Sequence, residues 1–243
     1  MQKDTENWYT SWFDTPFYHI LYKDRDYKEA GNFMDKLTSF LKLSQNDEIL
    51  DLACGKGRHS KYLNELGFSV TGVDLSPKSI AFAKQFENSS LLFDEHDMCM
   101  PYPKKFDAVF NLFTSFGYFE NEADNLRTIK AIKAELKPNG FAVIDFLNAE
   151  FVKLNLVPSE IKRVNDINFN IERIIENGYI IKKIHFTFND IAYRFEERVK
   201  ALTLSDFNNF FQEANIELLH CFGDYQLNDF KIATSERLIL IFK

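Results

Sequence analysis

ILDLACGKGRHS, Ile49 to Ser60, is the stretch whose reading decides the fold. Two glycines, Gly55 and Gly57, stand one residue apart just after an acidic residue, Asp51. The apolar run from Glu48 to Ala53 reads as a short buried strand. Arg58 to Leu66 reads as a helix that stops at Gly67, a residue suited to the left-handed position after a helix end. A strand, a glycine loop and a helix in this order are the layout that nucleotide-binding loops share, and three kinds of loop compete. A phosphate loop of the NTPase kind needs four residues between its glycines, and here Lys56 stands alone between them. A dinucleotide loop needs G-x-G-x-x-G, and here Ser60 occupies the place of the third glycine.

Outward from this loop, strand and helix alternate. Phe68 to Val73 is a second strand. Ser76 followed by Pro77 starts a helix that runs to about Phe86, the serine capping and the proline taking the first helical position. Leu91 to Phe93 and Ala108 to Leu112 read as strands three and four. A helix over about Glu122 to Leu136 ends at Lys137-Pro138-Asn139-Gly140, and Phe141 to Phe146 is strand five. Such alternation predicts a parallel sheet with helices on both faces. Upstream, residues 4–23 carry Trp8, Tyr9, Trp12, Phe13, Phe17, Tyr18 and Tyr22, and Ala30, Phe33, Met34, Leu37, Phe40 and Leu41 recur at helical spacing over 26–43. Downstream the rhythm breaks. Asn177-Gly178 separates INFNIERIIE from YIIKKIHFTF, and Asn-Gly is the favoured pair for a two-residue hairpin. Asn189-Asp190 makes the next turn, before IAYRFEERV. Thr203 with Asp206 caps a helix ending near Asn215, and Glu217–Phe222 and Glu236–Phe242 are two closing strands. Four regions are expected: a helical cap over 1–45, a Rossmann-like core over 46–150, an antiparallel β insertion over 151–200, and a return to the core over 201–243.

A third kind of glycine loop fits without a gap. In the S-adenosylmethionine loop an acidic residue ends strand one and G-x-G follows, as in Asp51-Leu52-Ala53-Cys54-Gly55-Lys56-Gly57. The glycines let backbone approach the ligand closely, and Asp51 can attract an α-ammonium. Asp74 ends strand two in VTGVDLS, where a carboxylate can accept both ribose hydroxyls; nicotinamide enzymes share this feature. Asp97 in EHDM follows strand three, within reach of an adenine amino group, with Leu75 and Met98 beside the ring. Asn111 and Phe113 stand at the end of strand four, in FDAVFNLFTSFGYF, whose aromatic loop suits a cationic sulfur. Arg58 and His59 read equally as helix-face residues or ligand contacts.

These motifs resemble those of the class I S-adenosylmethionine-dependent methyltransferases. The resemblance covers about residues 46–147 and returns at 203–243, with LKPNGFAVIDF similar to the fifth-strand motif. It implies an α/β, Rossmann-like, doubly wound seven-stranded sheet whose last strand runs antiparallel. It implies S-adenosylmethionine as cofactor, held by Asp51, Ala53, Cys54, Gly55, Gly57, Asp74, Leu75, Asp97, Met98, Asn111 and Phe113. In related enzymes the N-terminal helices cover the site, so Tyr18 or Tyr22 is expected near the methionine end; the lone His19 between them reads as structural. No catalytic residue is assigned, and a general base is needed only if the acceptor must lose a proton.

Composition narrows the partners. Net charge is −7 and no run of Lys and Arg occurs, which disfavours a nucleic-acid acceptor. A patch built from Lys182, Lys183, Arg194, Arg198 and Lys200 would reverse that reading toward tRNA or protein. The expected acceptor is a small molecule; a non-catalytic cofactor-binding module is the reading from another class. The three cysteines, Cys54, Cys99 and Cys221, are scattered, so neither a disulfide framework nor a metal site is expected. No signal peptide and no membrane span are read, the cytoplasm is the expected compartment, and the β insertion is a cover for substrate or a homodimer contact.

Overall fold

The computed structural model of the chain describes residues 12, 13, 15–23, 27–119 and 121–243. Trp8 and Tyr9 lie outside them. Its centre is a seven-stranded sheet in the order β3-β2-β1-β4-β5-β11-β10. β1 (Glu48–Leu52), β2 (Ser69–Asp74), β3 (Leu91–Glu95), β4 (Phe106–Asn111) and β5 (Leu136–Leu147) run parallel. β11 (Arg237–Phe242) runs antiparallel to β5, and β10 (Leu218–Phe222) antiparallel to β11. The strand order reverses between β1 and β4, and open parallel sheets bind ligands at the carboxyl ends flanking such a point.

Both faces of the sheet are covered, which is why its central strands are nearly continuous apolar runs. On one face, α2 (Tyr27–Phe40), α3 (Arg58–Glu65) and α4 (Pro77–Ala83) bring Phe33, Met34, Leu37, Leu63 and Ile80 against Ile49, Val70 and Phe110. On the other, α5 (Glu122–Glu135) and α7 (Leu204–Ala214) bring Ile129, Ile132, Phe207 and Phe211 against Leu50, Val109, Ile144 and Phe242. The caps read from sequence are in place. Ser76 Oγ accepts from the Ser79 amide at 3.1 Å, Gly67 takes φ +100° after α3, and Thr203 and Asp206 close a capping box on α7.

A separate four-stranded antiparallel sheet has the order β6-β7-β8-β9. Its strands are β6 (Ser159–Val164), β7 (Ile167–Glu176), β8 (Tyr179–Phe188) and β9 (Ile191–Lys200). Of its three hairpin turns, Asn177-Gly178 and Asn189-Asp190 form the second and third, all four residues with positive φ. Ahead of the strands, the start of the insertion over 151–200 carries a helix that no sequence signal marks, α6 (Ala149–Asn155), capped by Asn148. One face of this sheet carries Phe169, Ile171, Ile184 and Phe186. It is covered by Trp12, Phe17 and Leu21 from the N-terminal segment, which includes α1 (Pro16–Leu21). The first aromatic segment therefore belongs to the small sheet, while α2 belongs to the large one.

Candidate functional site

The glycine loop lies at the carboxyl end of β1. Asp51 is buried, and its carboxylate accepts from Ser60 Oγ at 2.5 Å. Burial, reinforced by the charge of Asp74, pushes its pKa up to about 6 against the hydrogen bond from Ser60. Ala53 then takes φ +65° and Gly55 φ +56°. A Cβ on Gly55 would meet nothing within 4 Å, so the loop opens there onto free space. Gly57 is required for the opposite reason. At φ +75°, a Cβ would stand 2.5 Å from the Phe93 ring, and the helix could not seat on the sheet. Cys54 is buried with its amide on the Val73 carbonyl, and burial pushes its thiol well above the usual range, so it is no nucleophile.

Asp74, at the end of β2, ties two loops together. It accepts the Gly55 amide on Oδ2 and the Ser76 amide on Oδ1, each at 2.8 Å. Leu75 beside it is 40% exposed, an apolar surface next to a carboxylate. After β3, Asp97 is exposed, and its Oδ1 accepts from the Cys99 amide at 2.9 Å, which fixes the turn that carries Met98.

At the end of β4, Asn111 is fully buried. Its Nδ2 donates to the Leu52 carbonyl at 3.0 Å and lies 3.9 Å from Met98 Sδ, while its Oδ1 is buried without a partner. An acceptor buried and unpaired costs about 1–3 kcal/mol. Phe113 and Thr114 follow with φ +58° and +62°. Two successive left-handed residues other than glycine cost about 1–3 kcal/mol each and persist only where surroundings hold them. Asp145, fully buried at the end of β5, holds these two. Its Oδ2 accepts the Phe113 amide at 2.8 Å and its carbonyl the Thr114 amide at 2.9 Å. Arg237 on β11 bridges to Asp145 Oδ1 at 2.6 Å and donates to Thr114 Oγ1 at 2.9 Å. Burial raises the Asp145 carboxyl above its ordinary range, and Arg237 opposes that. The Phe113 ring stacks on His59 with centroids 4.3 Å apart, and His59 Nε2 meets Arg58 at 2.7 Å.

The structure thus gathers the ends of β1, β2 and β4 through direct contacts among the residues singled out in the sequence. Tyr22 stands in the other assembly. Its hydroxyl donates to Glu197 at 2.6 Å and meets Lys182, both on the small sheet, and Trp12 Nε1 shares the same Glu197 oxygen at 2.7 Å. Asp145, Arg237 and Thr114 escaped sequence reasoning. An acid at the end of the fifth strand, in VIDF, was the available signal; its partner lies 92 positions away. Among the described residues no His, Cys, Asp and Glu side chains gather as a metal site would need.

The matches to known proteins agree with this geometry. Residues 24–221 match the family described as "Methyltransferase domain". A putative methyltransferase YqeM of Bacillus subtilis is 38% identical over 117 residues, which cover 46% of this chain and 47% of that protein. The match thus spans about half the length of that curated relative. An S-adenosylmethionine-dependent methyltransferase from Clostridium acetobutylicum superposes with TM-score 0.77 at 21% identity, over 93% of this chain and 94% of that one. The amino pentose methyltransferase CalS10 of Micromonospora echinaspora, solved with S-adenosylmethionine bound, gives 0.73 at 17% identity, over 94% and 96%. S-adenosylmethionine is the cofactor of this group, and the residues around Gly55 fit it: open backbone, two carboxylates and an unpaired buried acceptor. The chain belongs to the methyltransferase-domain family and has the class I S-adenosylmethionine-dependent fold.

Proposed function

We propose that the chain transfers a methyl group from S-adenosylmethionine to a small-molecule acceptor by in-line displacement. The observation that carries this reading is the loop at Gly55. It opens onto free space, its amide is fixed by Asp74, and the buried Asp51 stands a few residues before it. In this reading Asp74 takes the ribose hydroxyls and Asp51 takes the α-ammonium. Ala53, Cys54, Gly55 and Gly57 supply close-approaching backbone. Leu75 and Met98 flank the adenine, Asp97 faces its amino group, Asn111 Oδ1 accepts from the ligand, and Phe113 forms a wall. Bound cofactor supplies a methyl already activated by a positive sulfur, so the protein's part is alignment of donor and acceptor.

A small acceptor is supported by charge. The basic residues that would make a nucleic-acid face are interleaved with acids. Lys182 lies 3.7 Å from Glu197, Lys200 2.8 Å from Glu122, and Lys183 opposes Glu196 across the β8–β9 ladder. Arg198 lies over the Tyr179 ring. The test is label transfer from methyl-labelled S-adenosylmethionine into pools of amino sugars, amino acids and phenols, with bulk tRNA and protein in parallel. Label in a small-molecule pool is expected; label in tRNA or protein alone would overturn the acceptor class.

A further inference from the structure

We infer that Asp145 and Arg237 are positioning residues: a buried ion pair that holds the left-handed Phe113–Thr114 turn, and through it the Phe113 ring, in the cofactor-competent arrangement. The inference rests on the reading of the Gly55 loop as the cofactor site.

Four observations carry it. Phe113 and Thr114 are consecutive non-glycine residues with φ +58° and +62°, a conformation that L side chains rarely adopt unless held. Both of their amides end on Asp145, one on its carboxylate and one on its carbonyl. Arg237 grips the same carboxylate through Nε at 2.8 Å and reaches Thr114 Oγ1, so one guanidinium spans both sides of the turn. The Phe113 ring also stacks on His59 at the start of α3, two residues after Gly57. The turn therefore joins the end of β4 to the glycine loop, and its conformation is set by β5 and β11, not by its own sequence. Tyr225 completes the support: its hydroxyl lies 3.3 Å from Asp145 Oδ2 and the Arg237 guanidinium lies over its ring. A pair placed only for stability would have no reason to take up the Phe113 amide with its carboxylate and the Thr114 hydroxyl with its guanidinium, on a turn that opposes its own backbone preference.

The separating experiment is calorimetric titration of S-adenosylhomocysteine into the wild type, Asp145→Asn and the double variant Asp145→Asn/Thr114→Gly, with thermal unfolding of each. Asn keeps one acceptor, which cannot serve both the Phe113 amide and Arg237, and it loses the charge. Glycine at 114 accepts the left-handed backbone without help. The expected result is at least tenfold weaker binding in the single variant and recovery to within about threefold in the double variant, even though the lost ion pair stays lost and the melting temperature does not recover. Wild-type affinity in Asp145→Asn, or loss of affinity that the glycine leaves unchanged, would overturn the proposal. If Asp145→Asn does not fold, Arg237→Lys takes its place in both arms, because it keeps the charge and loses the grip on Thr114. Wild-type protein that binds no S-adenosylhomocysteine removes the cofactor reading and this inference together; wild-type binding with indifferent variants removes this inference alone.

Discussion

Replacing Glu135 with Gln should make the protein's stability much less dependent on pH. Glu135 ends α5, is fully buried, and accepts the Tyr102 amide on Oε1 at 2.8 Å, while Oε2 has no partner. Burial pushes its pKa from 4.5 up to about 7. A carboxyl raised in the folded state favours folding when protonated. Its contribution is whole below pH 4.5 and is lost as the pH rises through 7. The gap corresponds to about 3 kcal/mol, most of it lost between pH 5 and pH 8. Gln keeps the acceptor for Tyr102 but places an amide donor where Oε2 stood, at a cost of about 1 kcal/mol independent of pH. The variant should therefore be slightly less stable than wild type at pH 5 and about 1–2 kcal/mol more stable at pH 8. Equilibrium urea unfolding followed by circular dichroism at both pH values reads this directly. Every other titrating group is common to the two proteins, so the double difference isolates residue 135. Stabilities that move in parallel across this range would refute the argument.

The remaining predictions concern the site. Gly57→Ala sets a methyl group 2.5 Å from the Phe93 ring at a left-handed φ, so it should destabilise the fold by about 2–4 kcal/mol, seen as a lowered urea midpoint. Asp74→Ala removes two amide anchors and the proposed ribose acceptors. Two charged hydrogen bonds lost to the ligand, at about 1.5 kcal/mol each, weaken cofactor binding roughly 100-fold by titration, with far-ultraviolet dichroism preserved. Asp51 titrates near 6, so affinity for S-adenosylmethionine should fall about tenfold from pH 7 to pH 5, and Asp51→Asn, weaker throughout, should lose that dependence. A binding curve flat in pH for the wild type would count against Asp51 as the ammonium partner.

What the sequence revealed and what it hid have the same cause. Local signals were legible wherever one residue alone forces the backbone. Asn177-Gly178, Ser76-Pro77, Gly67 and Thr203 with Asp206 all do what their chemistry dictates. The antiparallel last strand was expected from resemblance and lies as expected beside β5. β6 went unread because SEIKRV is an edge strand with one buried residue, Val164, and its Ile161 is 71% exposed, so no alternation marks it. α6 went unread because seven residues carry too little periodicity. Lys137-Pro138-Asn139-Gly140 reads as a helix end ahead of a strand at Phe141, whereas β5 already starts at Leu136, and there the β4–β5 register shifts between the Phe106↔Leu136 and Ala108↔Phe141 pairs. The site divides the same way. Asp51, Gly55 and Gly57 belong to the short motif after β1, and Asp74 to the one that ends β2. The Asp145–Arg237 pair joins β5 to β11 and shows only when the sheet is assembled. Tyr22, expected near the methionine end of the cofactor, bonds through its hydroxyl to Glu197 and Lys182 on the small sheet, partners no sequence pattern announces.

The central claim is that this loop is built for S-adenosylmethionine and not for a dinucleotide. Parallel calorimetric titrations of the purified protein with S-adenosylmethionine, S-adenosylhomocysteine and NAD test it most directly. Micromolar binding of the first two and no heat with NAD is the expected result. Binding of NAD alone, or of none of the three, would contradict it.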